Sequence, residues 1–329
     1  MHIETPVYLA LPEAPHVPGL RFRRWRGEAD QPALDAIFVA CQEADEIDPR
    51  STHEAIVTPE ELATALALTP RFDPAHDLLV AEAAGAPVAL VMVTWWTGHA
   101  EWVYPHQGYV HPAWRRQGIG RALVRWAERR ARELALAQAG AEERAEYAAG
   151  ATETEPGTAA LLAREGYTIH SRWAAMVLEG FAAQPEPPLP RSIAVRPFAP
   201  EHLPAIWAAY TDVYGERWLD APPTEEEFRA FQTRFSPKAG FMPELSRVAW
   251  AGQTVVAYTL CKEGRARGAF DTVGTRPDWR RRGLARALLV RSLNAMAARG
   301  LTHCALHADL DEPTGAKALY ERLGFQTVQ

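Results

Sequence analysis

His111–Leu123 reads HPAWRRQGIGRAL, and Arg276–Leu288 reads RPDWRRRGLARAL. Each stretch sets arginines and a glycine turn directly ahead of a segment with helical spacing. In the first, Ile119, Leu123, Trp126 and Arg130 share a face at intervals of three and four, with Ala127 and Leu134 beside them. Gly118 and Gly120 permit a tight turn and a close approach of the main chain to a ligand. A helix starting just behind them offers unpaired N–H groups and the positive end of its dipole, so an anion, most often a phosphate, is the natural guest. Arg115, Arg116 and Arg121 add charge in one copy, and Arg280, Arg281, Arg282 and Arg286 in the other. Neither copy has the Gly-Lys-Ser/Thr of a triphosphatase loop; GIGRAL misses the third glycine of the dinucleotide fingerprint, and GLARAL misses two. One copy alone reads equally as a solvated arginine cluster on a glycine turn. Two copies, each behind a long strand, favour the anion site.

The repetition extends outward. Gly118 and Gly283 lie 165 positions apart, and the endings AREGY at Gly166 and ERLGF at Gly324 lie 158 apart. Similar offsets for separate landmarks indicate an internal duplication, with the difference falling in AEERAEYAAGATETEPG (141–157). Ala182–Ser192, AAQPEPPLPRS, carries four prolines and reads as a stiff linker. It divides the chain into residues 1–185 and 186–329, each an ordinary domain size.

Each half follows one order of elements. In the first, the strand LRFRRWR precedes helices in PALDAIFVACQEA and PEELATALAL, then strands DLLVAEA, APVALVMVTWW and EWVYPHQGYVHP, then the glycine loop and its helix. In the second, SIAVRPF precedes helices near Leu203–Val213 and Glu225–Phe231, strands SRVAWA, TVVAYTLCKE and GAFDTVGT, the loop, its helix and the strand LTHCALHADL. Strict strand–helix alternation is absent, so the fold class is α/β in the α+β sense: two domains, each a mixed, mainly antiparallel sheet flanked by helices. One asymmetry stands out. The first half continues past GYTIH into a final strand, RWAAMVLEGF, whereas the second has nothing after FQTVQ. PVYLALP near the start has strand composition and is expected to fill the missing position in the second sheet, unless a partner subunit does.

Composition bounds the function. A chain of 329 residues with 47% hydrophobic and 23% charged residues is folded and long enough for two cores. No run of eighteen apolar residues spans a membrane, and the opening MHIETPVYLALPEAPHVPGL has an early acid and no basic start, unlike a signal peptide. Cys41, Cys261 and Cys304 are odd in number and far apart, which suggests a reducing cytoplasm and no zinc knuckle or other metal site. A formal net charge of −6 leaves no basic excess for nucleic acid. A cytoplasmic monomer or homodimer acting on a small molecule, with no membrane or nucleic-acid partner, is expected.

Arg115-x-x-Gly118-x-Gly120 and Arg280-x-x-Gly283-x-Ala285 resemble the acetyl-CoA loop of the GNAT N-acetyltransferase superfamily, and AKALYERLGF (Ala316–Phe325) is similar to its other signature. The resemblance covers nearly the whole chain, twice, in a mycothiol-synthase-like arrangement. It implies that loop main-chain N–H groups bind the pyrophosphate of coenzyme A. The implied cofactor-binding residues are Val110, Arg115, Arg116, Gln117, Gly118, Ile119, Gly120 and Arg121, then Thr275, Arg280, Arg281, Arg282, Gly283, Leu284, Ala285 and Arg286. It also implies that the strands before and after the loop helix splay apart around the pantetheine arm.

An amine must lose its proton before attacking a thioester, and the leaving thiolate benefits from a proton donor. In this family the donor is usually a tyrosine of the last helix. Tyr320 holds that place in the second copy, while Leu162 holds it in the first and cannot donate. Spacing alone reads differently: Ala316, Leu319, Tyr320 and Leu323 form one apolar helix face, that of a core residue. Pro313 stands where the family often has asparagine and reads as an early-helix proline. Asp271 is the best candidate base, with His106 as its counterpart and His307 and Asp309 as a possible relay; each also reads as an ordinary strand-end polar group.

For the acceptor, Glu43, Asp45, Glu46 and Asp48, then Asp220, Glu225, Glu226 and Glu227, form acidic loop regions that would favour a cationic amine or equally belong to solvated helix ends. Tyr210, Tyr214 and Trp218 line a pocket or belong to the core. The resulting expectation is transfer of acetyl from acetyl-CoA to a primary amine of a small molecule, with the C-terminal domain catalytic and the N-terminal domain degenerate. A non-catalytic acyl-CoA-binding or regulatory protein and a protein N-acetyltransferase are the alternatives.

Overall fold

The computed structural model describes all residues except 1–6, 49, 51–71, 99–100, 139–144, 219–223, 236–239, 265–266 and 329. The main run of one compact unit ends at Ile169, and that of the other is His170–Val328. The helix expected in PEELATALAL lies outside the described residues.

In the first unit, β1 (Tyr8–Leu9), β2 (Arg21–Arg24), β3 (Leu78–Ala83), β4 (Ala86–Val93), β5 (Trp96–Gly98) and β6 (Glu101–Val110) form an antiparallel sheet in the order β1-β2-β3-β4-β6-β5. β7 (Ala145–Ala148) adds to β6 in parallel. Alternation along β3 explains the layers, because successive side chains leave opposite faces. Leu78 and Val80 meet Leu34, Ile37 and Cys41 of α1 (Gln31–Ala44). Leu79 and Ala81 share a core with Ile119, Leu123, Trp126 and Ala127 of α2 (Ile119–Leu136). α3 (Pro156–Arg164) closes the unit. Fully buried Arg23 joins Asp30 at 2.7 and 2.8 Å and Glu82 at 2.7 Å, so its charge is matched where water is absent.

The second sheet runs β14-β8-β13-β12-β11-β10-β9, from β8 (Trp173–Glu179), β9 (Ile193–Pro197), β10 (Arg247–Ala251), β11 (Thr254–Gly264), β12 (Arg267–Thr275), β13 (His303–Asp309) and β14 (Gln326–Val328). One face carries α4 (Leu203–Trp218) and α5 (Glu225–Arg234), whose Ile206, Ala209, Phe231 and Phe235 pack with Val248, Trp250, Tyr258 and Leu260. α6 (Leu284–Ala298) packs through Leu284 and Leu288 with Ala249, Val256 and Ala257. α7 (Ala316–Arg322) precedes β14.

Two expectations fail at the sheet edges. RWAAMVLEGF is not the first unit's final strand: all seven residues of β8 pair antiparallel with β13, and Ala175–Val177 pair with β14. Its buried Met176 and Leu178 belong to the second core, so it fills the sheet position that FQTVQ leaves open. PVYLALP does not fill it, because Tyr8 and Leu9 pair with Arg23 and Phe22 of the first sheet. Tyr8 is held there by its hydroxyl on Glu82 at 3.2 Å and by the Arg21 guanidinium over its ring. The proline linker thus follows β8, and the backbone pairing changes units ahead of position 185 rather than at it.

Candidate active site

Both glycine loops have one backbone shape. Arg116 and Gly118 have φ of 64° and 87°, and Arg281 and Gly283 have 62° and 78°. Glycine enters this region freely, but an arginine there costs roughly 1–2 kcal/mol. Strain at the same place in both copies marks a loop whose shape is required, a concave run of main-chain N–H groups ahead of a helix. Gly118 and Gly283 cap α2 and α6 without any side-chain hydrogen bond, leaving first-turn donors for a ligand.

The surroundings of the two loops differ. In the second unit Arg280 Nε donates to the Thr275 carbonyl, Arg282 donates to the Asp278 carbonyl and lies over the Trp279 ring, and a Cβ at Gly283 would meet nothing within 4 Å. Among the described residues, no carboxylate pairs with Arg280, Arg281, Arg282 or Arg286. In the first unit Arg115 is clamped by Asp45 at 2.5 and 2.7 Å, which holds the guanidinium firmly protonated against the effect of burial. Arg121 and Arg125 pair with Glu165 at 3.0 and 2.8 Å. Pro15 lies where a Gly118 side chain would come within 3.1 Å, and Leu161 crowds Gly120 equally.

Ahead of each loop the parallel strands part. β12 pairs with β13 only from Gly268 to Phe270, although it runs on to Thr275. β6 and β7 separate after Pro105 and Ala148. The freed edge of β12 can pair with an amide-bearing arm as it would with a strand. At its end the Thr275 hydroxyl is buried without a hydrogen-bond partner among the described residues. An uncapped helix start, arginines without carboxylates, an open glycine and an orphaned hydroxyl suit coenzyme A in the second unit.

The chemistry-bearing side chains of that unit converge near the gap. Tyr320 is buried on α7, its ring 6.1 Å from Phe325, and burial pushes its phenol up to about 12. Its apolar neighbours are those of the core reading, and a buried phenol still carries a proton that it can donate. Tyr214 of α4 donates to the Val273 carbonyl at 3.5 Å and packs against Tyr210 with the rings tilted by 45° and their centroids 4.6 Å apart. Burial, then Tyr210 and Tyr320, raise the Tyr214 phenol, placing Tyr320 within its electrostatic reach. Asp271 is the extra residue of a β-bulge, since Leu260 and Cys261 of β11 face Thr272 and Phe270. Its carboxylate meets Lys262 at 2.8 Å and Arg234 at 3.0 Å and accepts from the Thr272 hydroxyl at 2.9 Å. Burial alone would raise it, but the two cations outweigh burial and hold it below the usual carboxylate range. A carboxylate so engaged is suited to holding charge more than to removing protons.

Other sequence candidates fall elsewhere. Pro313 is not inside a helix: it lies in the turn before Gly315, the left-handed cap of α7. Asp309 accepts from the Asp311 N–H, and His307 is exposed on β13. Three of the acids are engaged: Asp45 clamps Arg115, Glu225 pairs with Arg229, and Glu227 completes the Thr224 cap of α5. Asp220 lies outside the described residues, and the side chains of Trp218 and Glu226 are likewise not described. In the first unit His106 Nε2 lies 2.7 Å from the Tyr167 hydroxyl, and burial lowers the imidazole to about 4. Sequence reasoning missed Arg234, Lys262 and Tyr258, which no local motif marks. No group of three or more metal-ligating residues occurs among the described residues, and no described helix is long and apolar enough to cross a membrane.

Comparison with known proteins gives the same answer for both units. Residues 203–325 match the acetyltransferase (GNAT) family model and residues 74–169 a GNAT acetyltransferase domain. A mycothiol acetyltransferase of Salinispora tropica is 30% identical over 89% of this chain and 88% of its own length. That of Kineococcus radiotolerans is 33% identical over 66% and 67%. The match to the Streptomyces scabiei protein, also 33% identical, spans 46% of that protein. A GCN5-related N-acetyltransferase from Sphaerobacter thermophilus superimposes with a TM-score of 0.77 at 27% identity, covering 94% of this chain and 93% of its own. A tandem GNAT protein from the clavulanic acid biosynthesis pathway shares the fold, with a TM-score of 0.65 at 18% identity over 94% and 95%. The chain belongs to the GNAT family of acetyltransferases, as an N-acetyltransferase of that acetyl-CoA-dependent family with two of its domains in tandem.

Proposed function

We propose that the second unit is the working transferase, moving the acetyl group of acetyl-CoA to a primary amine of a small molecule, and that the first unit is a non-catalytic copy. The observation that carries this reading is the coincidence in one unit of the uncompensated loop, the parted strands and Tyr320. The first unit has Leu162 in place of the tyrosine, and its Arg115 and Arg121 are already met by Asp45 and Glu165. The relatives named mycothiol acetyltransferase support a small-molecule acceptor over a protein one.

Acetyl-CoA, when bound, supplies a thioester whose carbonyl carbon is open to a nucleophilic amine. The main-chain N–H groups from Arg281 to Arg286 and the surrounding guanidinium groups hold its diphosphate. The free edge of β12 from Asp271 to Thr275 orients the arm. Tyr320 Oη, kept protonated at neutral pH by burial, holds a proton for the departing thiolate. The acceptor must arrive as the free base, since an alkylamine has a pKa near ~10. The charged groups around Asp271 and the Tyr210–Tyr214 rings form the wall it meets.

Tyr320→Phe tests the assignment. Turnover is expected to fall by roughly 10²–10⁴-fold, the usual worth of general acid–base catalysis, with acetyl-CoA affinity retained. Unchanged turnover would remove Tyr320 from the mechanism. Calorimetry with CoA is expected to show one site, lost in Arg280→Ala/Arg282→Ala protein.

A further inference from the structure

The charged groups gathered at the bulge of β12 do not balance. Asp271 sits on the bulge of β12, Lys262 on the adjacent β11 and Arg234 at the last position of α5. One carboxylate meets two cations, through different oxygens, so the trio carries one net positive charge. The carboxylate side chain is 10% exposed, whereas those of Lys262 and Arg234 are 27% and 45% exposed. The cations, not the acid, therefore face outward. Among the described residues no second carboxylate pairs with either cation. Tyr210, Tyr214 and Tyr258 contribute no negative charge, because burial keeps all three phenols protonated.

A second observation is independent of the trio. Tyr258 is fully buried on β11, and its hydroxyl has no hydrogen-bond partner among the described residues. Its ring lies on Gly274 so closely that a Cβ there would come within 2.4 Å of Oη. Tyr258 shares a core cluster with Phe231 of α5 and Tyr210 of α4, and Tyr210, Tyr214 and Arg234 all act electrostatically on its phenol. A phenol seated by its cross-strand glycine with its donor unmatched is built to meet an acceptor atom that the fold does not supply.

We propose that the acceptor amine carries a carboxylate of its own, that Arg234 and Lys262 bind it with the Tyr258 hydroxyl as an added donor, and that Asp271 is the positioning residue for the two cations. The substrate class is amino-acid-like: a primary amine and a carboxylate in one small molecule. Guanidinium and ammonium groups pre-aligned on one buried carboxylate lose little freedom when they take a second. This inference rests on the reading of the second unit as the working transferase.

The test uses the full chain, saturating acetyl-CoA and a panel of amino acids, each beside its carboxamide, which keeps the amine and removes the negative charge. The acid of the best pair is expected to have a kcat/KM at least about tenfold above its amide, carried mainly by KM. Lys262→Met and Arg234→Gln should drive that ratio toward one, and Arg234→Lys should restore part of it. Calorimetry supplies a readout free of turnover: with CoA present, the N-acetyl amino acid product should bind and its amide should not. Tyr258→Phe should weaken that binding several-fold while the protein stays folded. Amides used as well as acids, or variants that lower both forms alike, would overturn the proposal and leave the transferase reading intact. Absence of CoA binding by the second unit would overturn both.

Discussion

Gly274→Ala adds one methyl group in the middle of β12, facing Tyr258. Gly274 lies outside the left-handed region, so alanine meets no backbone strain and the whole penalty is steric. The new Cβ would sit 2.4 Å from Tyr258 Cζ and Oη and 2.8 Å from Cε1, where carbon contacts normally begin near about 3.5 Å. The ring must retreat by roughly 1 Å into a cluster of Ile206, Ala209, Leu260 and Phe231, all buried and close-packed. Overpacking of this kind costs about 1–3 kcal/mol, less about 0.5 kcal/mol recovered from the stiffer unfolded chain. For a unit of this size the melting temperature should fall by roughly 2–10 °C. Scanning calorimetry reads the shift, and a double-mutant cycle with Tyr258→Val should return part of it, because the smaller side chain vacates the disputed space. An unshifted transition with no coupling to position 258 would refute the seating of the ring on this glycine.

Three further outcomes follow from the same geometry. The first unit should lose stability in acid: His106, lowered by burial to about 4, stays neutral in the fold while the unfolded chain takes up a proton below its ordinary value near about 6.5. That contribution, about 3 kcal/mol, is present above pH ~6.5 and lost as pH falls toward ~4, and His106→Gln should flatten a pH series of denaturant melts over this window. Asp30 and Glu82, which burial would raise but Arg23 holds low, add a further loss as pH drops below about 4, through their depressed folded values. A fragment covering 186–329 should fail to fold where 170–329 succeeds, because it lacks β8; removing buried Met176, Val177 and Leu178 forfeits roughly 4–9 kcal/mol against a total near 5–15. A cooperative thermal transition in the shorter fragment would contradict this. Arg115→Ala should change CoA binding little yet destabilise the first unit, since Asp45 loses its bidentate partner.

Much of this architecture was legible in the sequence because duplication states it twice. The offsets of Gly118 and Gly283 indicate two copies, and the short apolar runs in DLLVAEA and SRVAWA read as strands, which the structure buries on both faces. What escaped was decided by tertiary pairing. RWAAMVLEGF looks the same whichever edge it joins, and only the vacancy between β13 and β14 settles its place. The bulge at Asp271 is a slip of register against β11, and no alternation pattern announces it. Lys262 reads as a strand-end charge and Arg234 as a helix-end charge until Asp271 joins them. Tyr320 becomes a proton-donor candidate only through the family's signature, because its spacing, like its packing, is that of a core residue.

The place of β8 also sets a timetable. During synthesis it leaves the ribosome about 130 residues ahead of β13, and at ~5–20 residues per second it waits roughly 6–26 s for a partner. For that interval Met176, Val177 and Leu178 form an apolar strand with both edges bare, tethered to a unit whose own sheet has no use for it. Nascent chains should be most prone to aggregate then, and a chaperone that shields extended apolar segments would act on this stretch before any other.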